Sequence, residues 1–322
     1  MKNNSHWIIT IGWLTLFSGC DKGELPVPAH EPGDVITASV NMGSDYRYQV
    51  FYDLETNSVV SRNLRTDWDL GFEASETGWH IVLNSARAGA AARAATTDFA
   101  AVTSHQNAAW AWDDQKGNLD STAIGDWRNS STVYIIDRGY DEAANHTGYR
   151  KITFEEVTET HYTFRYANLE GSGEKTLSIE KDPEVNFISF SFDKDEVVPI
   201  EPGKQEWDLL FTQYIHVFPG NVAYLVSGSL INRNKVQVAA ESTMDFNEIS
   251  YDDIAGYTFQ DSINSIGYDW KYYDFDLATY IIRPELNYVI HTTAGRYVKL
   301  HFIDFYSSTG EKGVPVFEMQ HL

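Results

Sequence analysis

The feature that most constrains this chain is an internal duplication. WDLGF at 68–72 returns as WDLLF at 207–211, 139 residues later. IGDW at 124–127 returns as IGYDW at 266–270, and YRKITF at 149–154 as YVKLHF at 297–302. The matches keep one order with slowly growing offsets, as expected when one ancestral unit is copied and the copies acquire small insertions. Whatever the unit is, the chain builds it twice.

The pattern inside the unit is that of sheet. In 46–52 (YRYQVFY) and 187–192 (FISFSF), apolar or aromatic side chains recur at alternate positions, the period of a half-buried strand. The polar segments 53–57 and 193–196 read as turns. In WDLxF, Trp, Leu and Phe share one face, and the aspartate falls on the other, toward water or a strand-end hydrogen bond. Each unit closes with a meander. In the second copy it runs through 287–291, 297–306 and 314–319, with Gly295 and Gly310 in the turns where positive φ is required. In the first it runs through 133–137, 149–155 and 161–166. Aromatic residues make up 14% of the chain, which favours cross-strand packing. Helix is scarce: 86–95 (ARAGAAARAA) has helical composition, but Gly89 interrupts it and its alanines cannot form a core stripe, so it reads as a loop or short helix. The expectation is an all-β protein of two tandem β-rich units, 36–175 and 176–322.

The amino terminus points to export. Lys2 precedes an apolar run at 7–17 that is too short to span a bilayer, and Ser18 and Gly19 lead to Cys20, the only cysteine in the chain. This resembles a lipobox, with Phe17 where Leu is usual. Residues 1–19 are read as a cleaved lipoprotein signal peptide and Cys20 as the lipidation site. The 20–35 segment carries three prolines within seven residues, which suits an extended tether. Acidic residues just after Cys20 resemble the surface-export signal of Bacteroidetes lipoproteins. The expected location is the outer membrane, lipid-anchored and facing outward.

Charge and motifs narrow the function. The formal net charge is −22, and no Lys/Arg run offsets it, so nucleic acid is not an expected partner. A single cysteine allows neither an intrachain disulfide nor a cysteine-based metal site. GxSxG, GxxxxGK[ST] and HExxH are all missing from the sequence, and the ten histidines are scattered. His80 and His216 follow equivalent strands and read as exposed strand-end side chains. A non-enzymatic protein is expected.

The second unit resembles the HmuY family of Bacteroidetes outer-membrane haem-binding lipoproteins. The likeness is carried by 187–192, EVV at 196–198, EWDLLF at 206–211, 224–228, IGYDW at 266–270 and the closing 297–306 with GEKG at 310–313. The first unit resembles it more faintly, through the repeat. The resemblance implies an all-β fold, haem as the cofactor for iron acquisition, and delivery to a TonB-dependent outer-membrane receptor. It also implies two axial histidines. This chain departs there: 268–279 offers Tyr272, Tyr273 and Asp274 instead, and 250–265 has no histidine. The candidate haem ligands are therefore Tyr272, Tyr273 and His216, since a tyrosinate or an imidazole can hold haem iron. Arg233, Lys235 and Lys271 are the nearby cations for the propionates. The competing reading is an adhesion or binding module for protein or glycan with the haem site lost.

Overall fold

A computed structural model of the chain describes residues 32–220 and 222–322. The signal peptide, Cys20 and most of the tether lie outside the described residues. Pro32–Leu322 form one compact unit. Its strands, in chain order, are β1 (Ile36–Ser39), β2 (Tyr48–Asp53), β3 (Ser58–Leu64), β4 (Leu70–Glu73), β5 (Ile81–Leu83), β6 (Ala90–Arg93), β7 (Tyr134–Asp137), β8 (Tyr149–Val157), β9 (His161–Ala167) and β10 (Lys175–Glu180). They continue with β11 (Phe187–Ser191), β12 (Glu196–Val198), β13 (Leu209–Phe218), β14 (Val222–Ile231), β15 (Gln237–Glu241), β16 (Lys271–Asp274), β17 (Thr279–Ile282), β18 (Asn287–His291), β19 (Tyr297–Tyr306) and β20 (Lys312–His321). The only helical pieces among the described residues are four short 3-10 turns. The fold is all-β.

The strands form two sandwiches. In one, the sheet β1-β20-β19-β18-β15 packs on β14-β13-β2-β3, around Tyr52, Phe211, Trp270, Phe302 and Phe317. In the other, β10-β9-β8-β7-β6 packs on β12-β11-β4-β5, around Phe72, Trp127, Phe154, Phe164 and Phe190. A separate hairpin, β16–β17, packs against the first sandwich through Tyr280 and Ile282. All pairing is antiparallel, so alternate side chains enter the core, as the sequence period requires.

Strand order does not follow the repeat boundary. β2 pairs with β13, placing Tyr52 opposite Leu209, and β11 pairs with β4, placing Phe190 opposite Leu70. One sandwich is thus the continuous stretch β4 to β12, and the other joins β1–β3 to β13–β20 across it. The boundary drawn at 175/176 runs through the start of β10.

Repeat-related positions nevertheless make matching bonds. Asp69 Oδ2 accepts from the Phe192 N–H, and Asp208 Oδ2 accepts from the Leu54 N–H. Asn84 Nδ2 donates to the Trp68 carbonyl, and Asn232 Nδ2 to the Trp207 carbonyl. Lys151 Nζ donates to the Phe99 and Val102 carbonyls, and Lys299 Nζ to those of Phe246 and Ile249. The motif aspartates are therefore buried pins, of the two options left by the sequence: their oxygens accept the first N–H groups beyond the strand they lie beside. Asp69 also takes Arg87 at 2.9 Å and Arg138 at 2.8 Å, both buried. Asp208 instead takes the N–H and hydroxyl of Thr293.

Two local expectations are corrected. The alanine-rich 86–95 segment is neither loop nor helix throughout. A 3-10 turn at Ser85–Arg87 ends at Ala88 with φ of 64°, and β6 then pairs with β7. Ala90, Ala91 and Ala92 are all buried, so small side chains serve close packing rather than helix propensity. His80 is not exposed either. Its Nδ1 lies 2.5 Å from Glu73 Oε2, and its ring stacks on Trp79.

Candidate functional site

Two cavities are built against one face of β13. Leu209 and Phe211 point into the sandwich core, so Leu210, Thr212, Tyr214 and His216 face the other way. The first cavity, about 180 Å³, lies between the two sandwiches. The second, about 230 Å³, begins where Tyr214 closes the first and is lined by His216, Tyr268, Asp269, Ile266 and Tyr288. His216 therefore lies inside β13, not after it.

Glycines shape the second cavity. Gly267 and Ser229 form an isolated bridge, which draws the 264–270 segment over β14. A Cβ on Gly228 would lie 2.2 Å from the Gly267 carbonyl oxygen, so this approach requires glycine there. The result places Tyr268 edge-on to His216, with ring centroids 5.0 Å apart, and Phe218 edge-on to it at 4.5 Å, the two aromatics themselves 6.4 Å apart. The His216 Nδ1 and Tyr214 hydroxyl are buried and have no hydrogen-bond partner. Desolvation holds the Tyr214 phenol well above its usual range, so it stays protonated. An imidazole with a bare nitrogen and a bare phenol beside a partly open, aromatic-walled cavity are unpaired groups that a ligand can satisfy.

Tyr272 and Tyr273 lie on β16, and neither lines a cavity. As successive strand residues they point to opposite faces, and both are exposed, at 45% and 40%. Tyr273 packs on Phe275 and Tyr280. Among the described residues no hydrogen bond or ring contact joins either tyrosine to His216. The hairpin nonetheless leaves the second cavity's rim directly, two residues after Asp269. At its root Lys271 is buried, donating to the Ser227 carbonyl at 2.5 Å with Nζ 4.0 Å from the Trp270 ring centroid. Burial pushes its pKa down to about 7.

The three cations singled out for an anionic ligand part company. Lys271 is locked in its aromatic cage, Arg233 lines the first cavity, and Lys235 is exposed. Arg283, over the Tyr272 ring at 5.7 Å, is the cation beside the hairpin that sequence reasoning missed. Tyr214 and Tyr268 were missed too. Their signal was available: they alternate with or adjoin residues already singled out, but nothing in a linear pattern reveals an unpaired hydroxyl. Among the described residues no cluster of three or more His, Cys, Asp or Glu could hold a metal ion.

A search of curated proteins finds no match. Among solved structures, apo PinO from Porphyromonas gingivitis matches at 10% identity with a TM-score of 0.35, covering 90% of this chain and 97% of that one. An HmuY-like protein from Bacteroides vulgatus, described as haem-binding, matches at 11% identity and TM-score 0.24, covering 88% and 90%. The apo HmuY analogue of Tannerella forsythia matches at 11% and 0.25, covering 91% and 98%. The sequence profile of the HmuY protein matches residues 45–319, nearly the whole described chain, and this protein therefore belongs to the HmuY family.

Proposed function

We propose that this protein captures haem, or a related porphyrin-like ligand, at the second cavity. The observation that carries the reading, beyond family membership, is the unpartnered His216 Nδ1 beside an aromatic-walled cavity. Haem supplies an iron with open axial positions, and an imidazole nitrogen is a suitable ligand for it. His216 would hold the iron, Tyr268 and Phe218 would pack on the macrocycle, and Arg283, over the Tyr272 ring, would be the cation for a propionate. Tyr272 and Tyr273 are the next candidates for a ligand, because their hairpin springs from the rim of the same cavity.

The chain would act at the outer membrane, anchored through Cys20, and pass haem to a TonB-dependent receptor. The anchoring rests on the lipobox-like amino terminus and the proline-rich tether, and the receptor on the family resemblance. The −22 charge suits a soluble capture protein rather than one that lies on anionic lipid. No catalytic role is proposed.

Haem titration followed by absorbance tests the reading. The mature protein should develop a sharpened, shifted Soret band saturating at one equivalent. His216→Ala should weaken binding on the order of tenfold or more, and Tyr272→Phe and Tyr273→Phe should each do less. A band that never shifts in either redox state would remove the haem reading. A shift indifferent to His216 but lost with one tyrosine would move the ligand to the hairpin.

A further inference from the structure

The first cavity lies outside the proposed haem site and has its own chemistry. It opens between the sandwiches, where the 113–122 loop docks on β13. Val217 N–H donates to Gln115 Oε1 at 2.7 Å, and Arg233 Nη1 donates to the Gly117 carbonyl at 3.1 Å. A Cβ on Gly117, whose φ is +77°, would lie 2.8 Å from Ile263, so the loop closes against that side chain only as glycine. The walls are apolar: Phe51, Phe187, Ile200, Trp207 and Leu210.

Most of its polar groups are paired, Gln49 and Trp68 among them, and the exceptions include donors on Arg233 and Trp207. Glu201 accepts from the N–H groups of Asn186 and Phe187 and from the Asn186 amide. Asp113 accepts from the N–H groups of Leu83 and Ala123. Both carboxylates are thus occupied as loop pins. Arg233, by contrast, makes one side-chain hydrogen bond, to Gly117, and its guanidinium stacks over Phe187 at 5.1 Å; Glu201, Glu73 and Asp113 attract it, but among the described residues it forms no ion pair. The indole Nε1 of Trp207 is buried without an acceptor. A guanidinium with free donors and a bare indole N–H, set among aromatic and aliphatic walls, call for an anionic acceptor on an apolar body.

We propose that this cavity is a second binding site, for a small monocarboxylate with an aromatic or branched apolar body. Arg233 pairs with the carboxylate, Trp207 donates to it or to an adjacent oxygen, and Phe51 and Leu210 pack on the body. The size fits: a buried cavity of about 150 Å³ holds a benzene-sized ring. A free guanidinium pairs with a planar carboxylate through two parallel bonds, which a neutral amide cannot reproduce. Burial also lifts Asp113 to about 6 and Glu201 to about 7, so the opposing negative charge fades as pH falls toward 6.

Phenylacetate and its neutral analogue phenylacetamide, titrated separately into the full mature protein, test this by calorimetry and tryptophan fluorescence. Phenylacetate should bind with Kd on the order of 1 mM or tighter, quench Trp68 and Trp207 emission, and tighten between pH 8 and pH 6. Phenylacetamide should bind at least about tenfold more weakly. Arg233→Met should abolish the preference for the acid while leaving the haem titration unchanged, which separates this site from the proposed haem site. If Arg233→Met does not fold, the acid-to-amide comparison on the unsubstituted protein decides alone. Equal binding of acid and amide, or binding of neither at millimolar concentration, would overturn the proposal.

Discussion

At the scale of single residues, the aspartates of the duplicated motif show how one buried acceptor fixes two chain segments. Asp208 is fully buried and holds the Leu54 N–H on one oxygen and the N–H and hydroxyl of Thr293 on the other. Removing it strands buried donors that water cannot reach. Asp208→Ala should lower unfolding free energy by about 2–4 kcal/mol, read from denaturant midpoints, because each buried donor left bare costs about 1–3 kcal/mol. At Asp69 two buried guanidiniums share the carboxylate, and Arg138 also reaches Asp193. Arg138→Met should destabilise by about 3–5 kcal/mol, since it leaves part of a buried ionic network unpaired. Loss of less than about 0.5 kcal/mol in either case would show that the pins are incidental.

At the scale of elements, the β16–β17 hairpin is where sequence pattern and environment diverge. Its root is Lys271, held among Trp270, Phe305 and Tyr280. Desolvation lowers its folded-state pKa from 10.5 to about 7, while the unfolded chain keeps its proton up to about 10.5. Between those values the unfolded state binds more protons, so this group makes stability rise with pH from about 7 toward 10.5, its penalty being complete below 7. The unfolding free energy of the protein minus that of Lys271→Met should therefore rise with pH through that window. A difference that does not change with pH would place Lys271 outside the aromatic cage.

Elements show equally well what was legible in the sequence. β2, β11, β18 and β19 fall on the alternating stretches, and Gly295 and Gly310 do adopt positive φ, but β2, β11 and β18 are buried on both faces rather than half-buried. β6 was opaque: alanine carries no strand signal, and only close packing against β7 and the Ala111 backbone makes those residues extended. The site was legible in part. His216 stood out in the sequence as a histidine beside an aromatic strand, and it lines the second cavity with a buried, unpartnered Nδ1. The roles of Arg233 and Trp207 were not legible, because an unpaired donor is defined by what fails to come near it in space.

At the scale of the whole molecule, the two sandwiches are interleaved rather than laid end to end. The stretch from β4 to β12 carries all strands of one sandwich, and the other is completed only when β1–β3 meet β13–β20. We propose that the folding division lies near residues 65 and 200 instead of at 175/176. A fragment spanning 65–203 should unfold cooperatively in urea, whereas 36–175, lacking β11 and the Phe192 N–H that caps Asp69, should not. The reverse result would return the division to the repeat boundary. The interleaving sets the first cavity between the sandwiches against β13, while the second is lined only by the β13–β20 part.

The capture of haem against that strand is the claim on which the functional account stands, and a crystal structure of the haem-loaded mature protein tests it most directly. A porphyrin is expected in the second cavity, its iron ligated by a ring nitrogen of His216 and its face against Tyr268. A porphyrin seated elsewhere, or an iron that leaves His216 unligated, would contradict it.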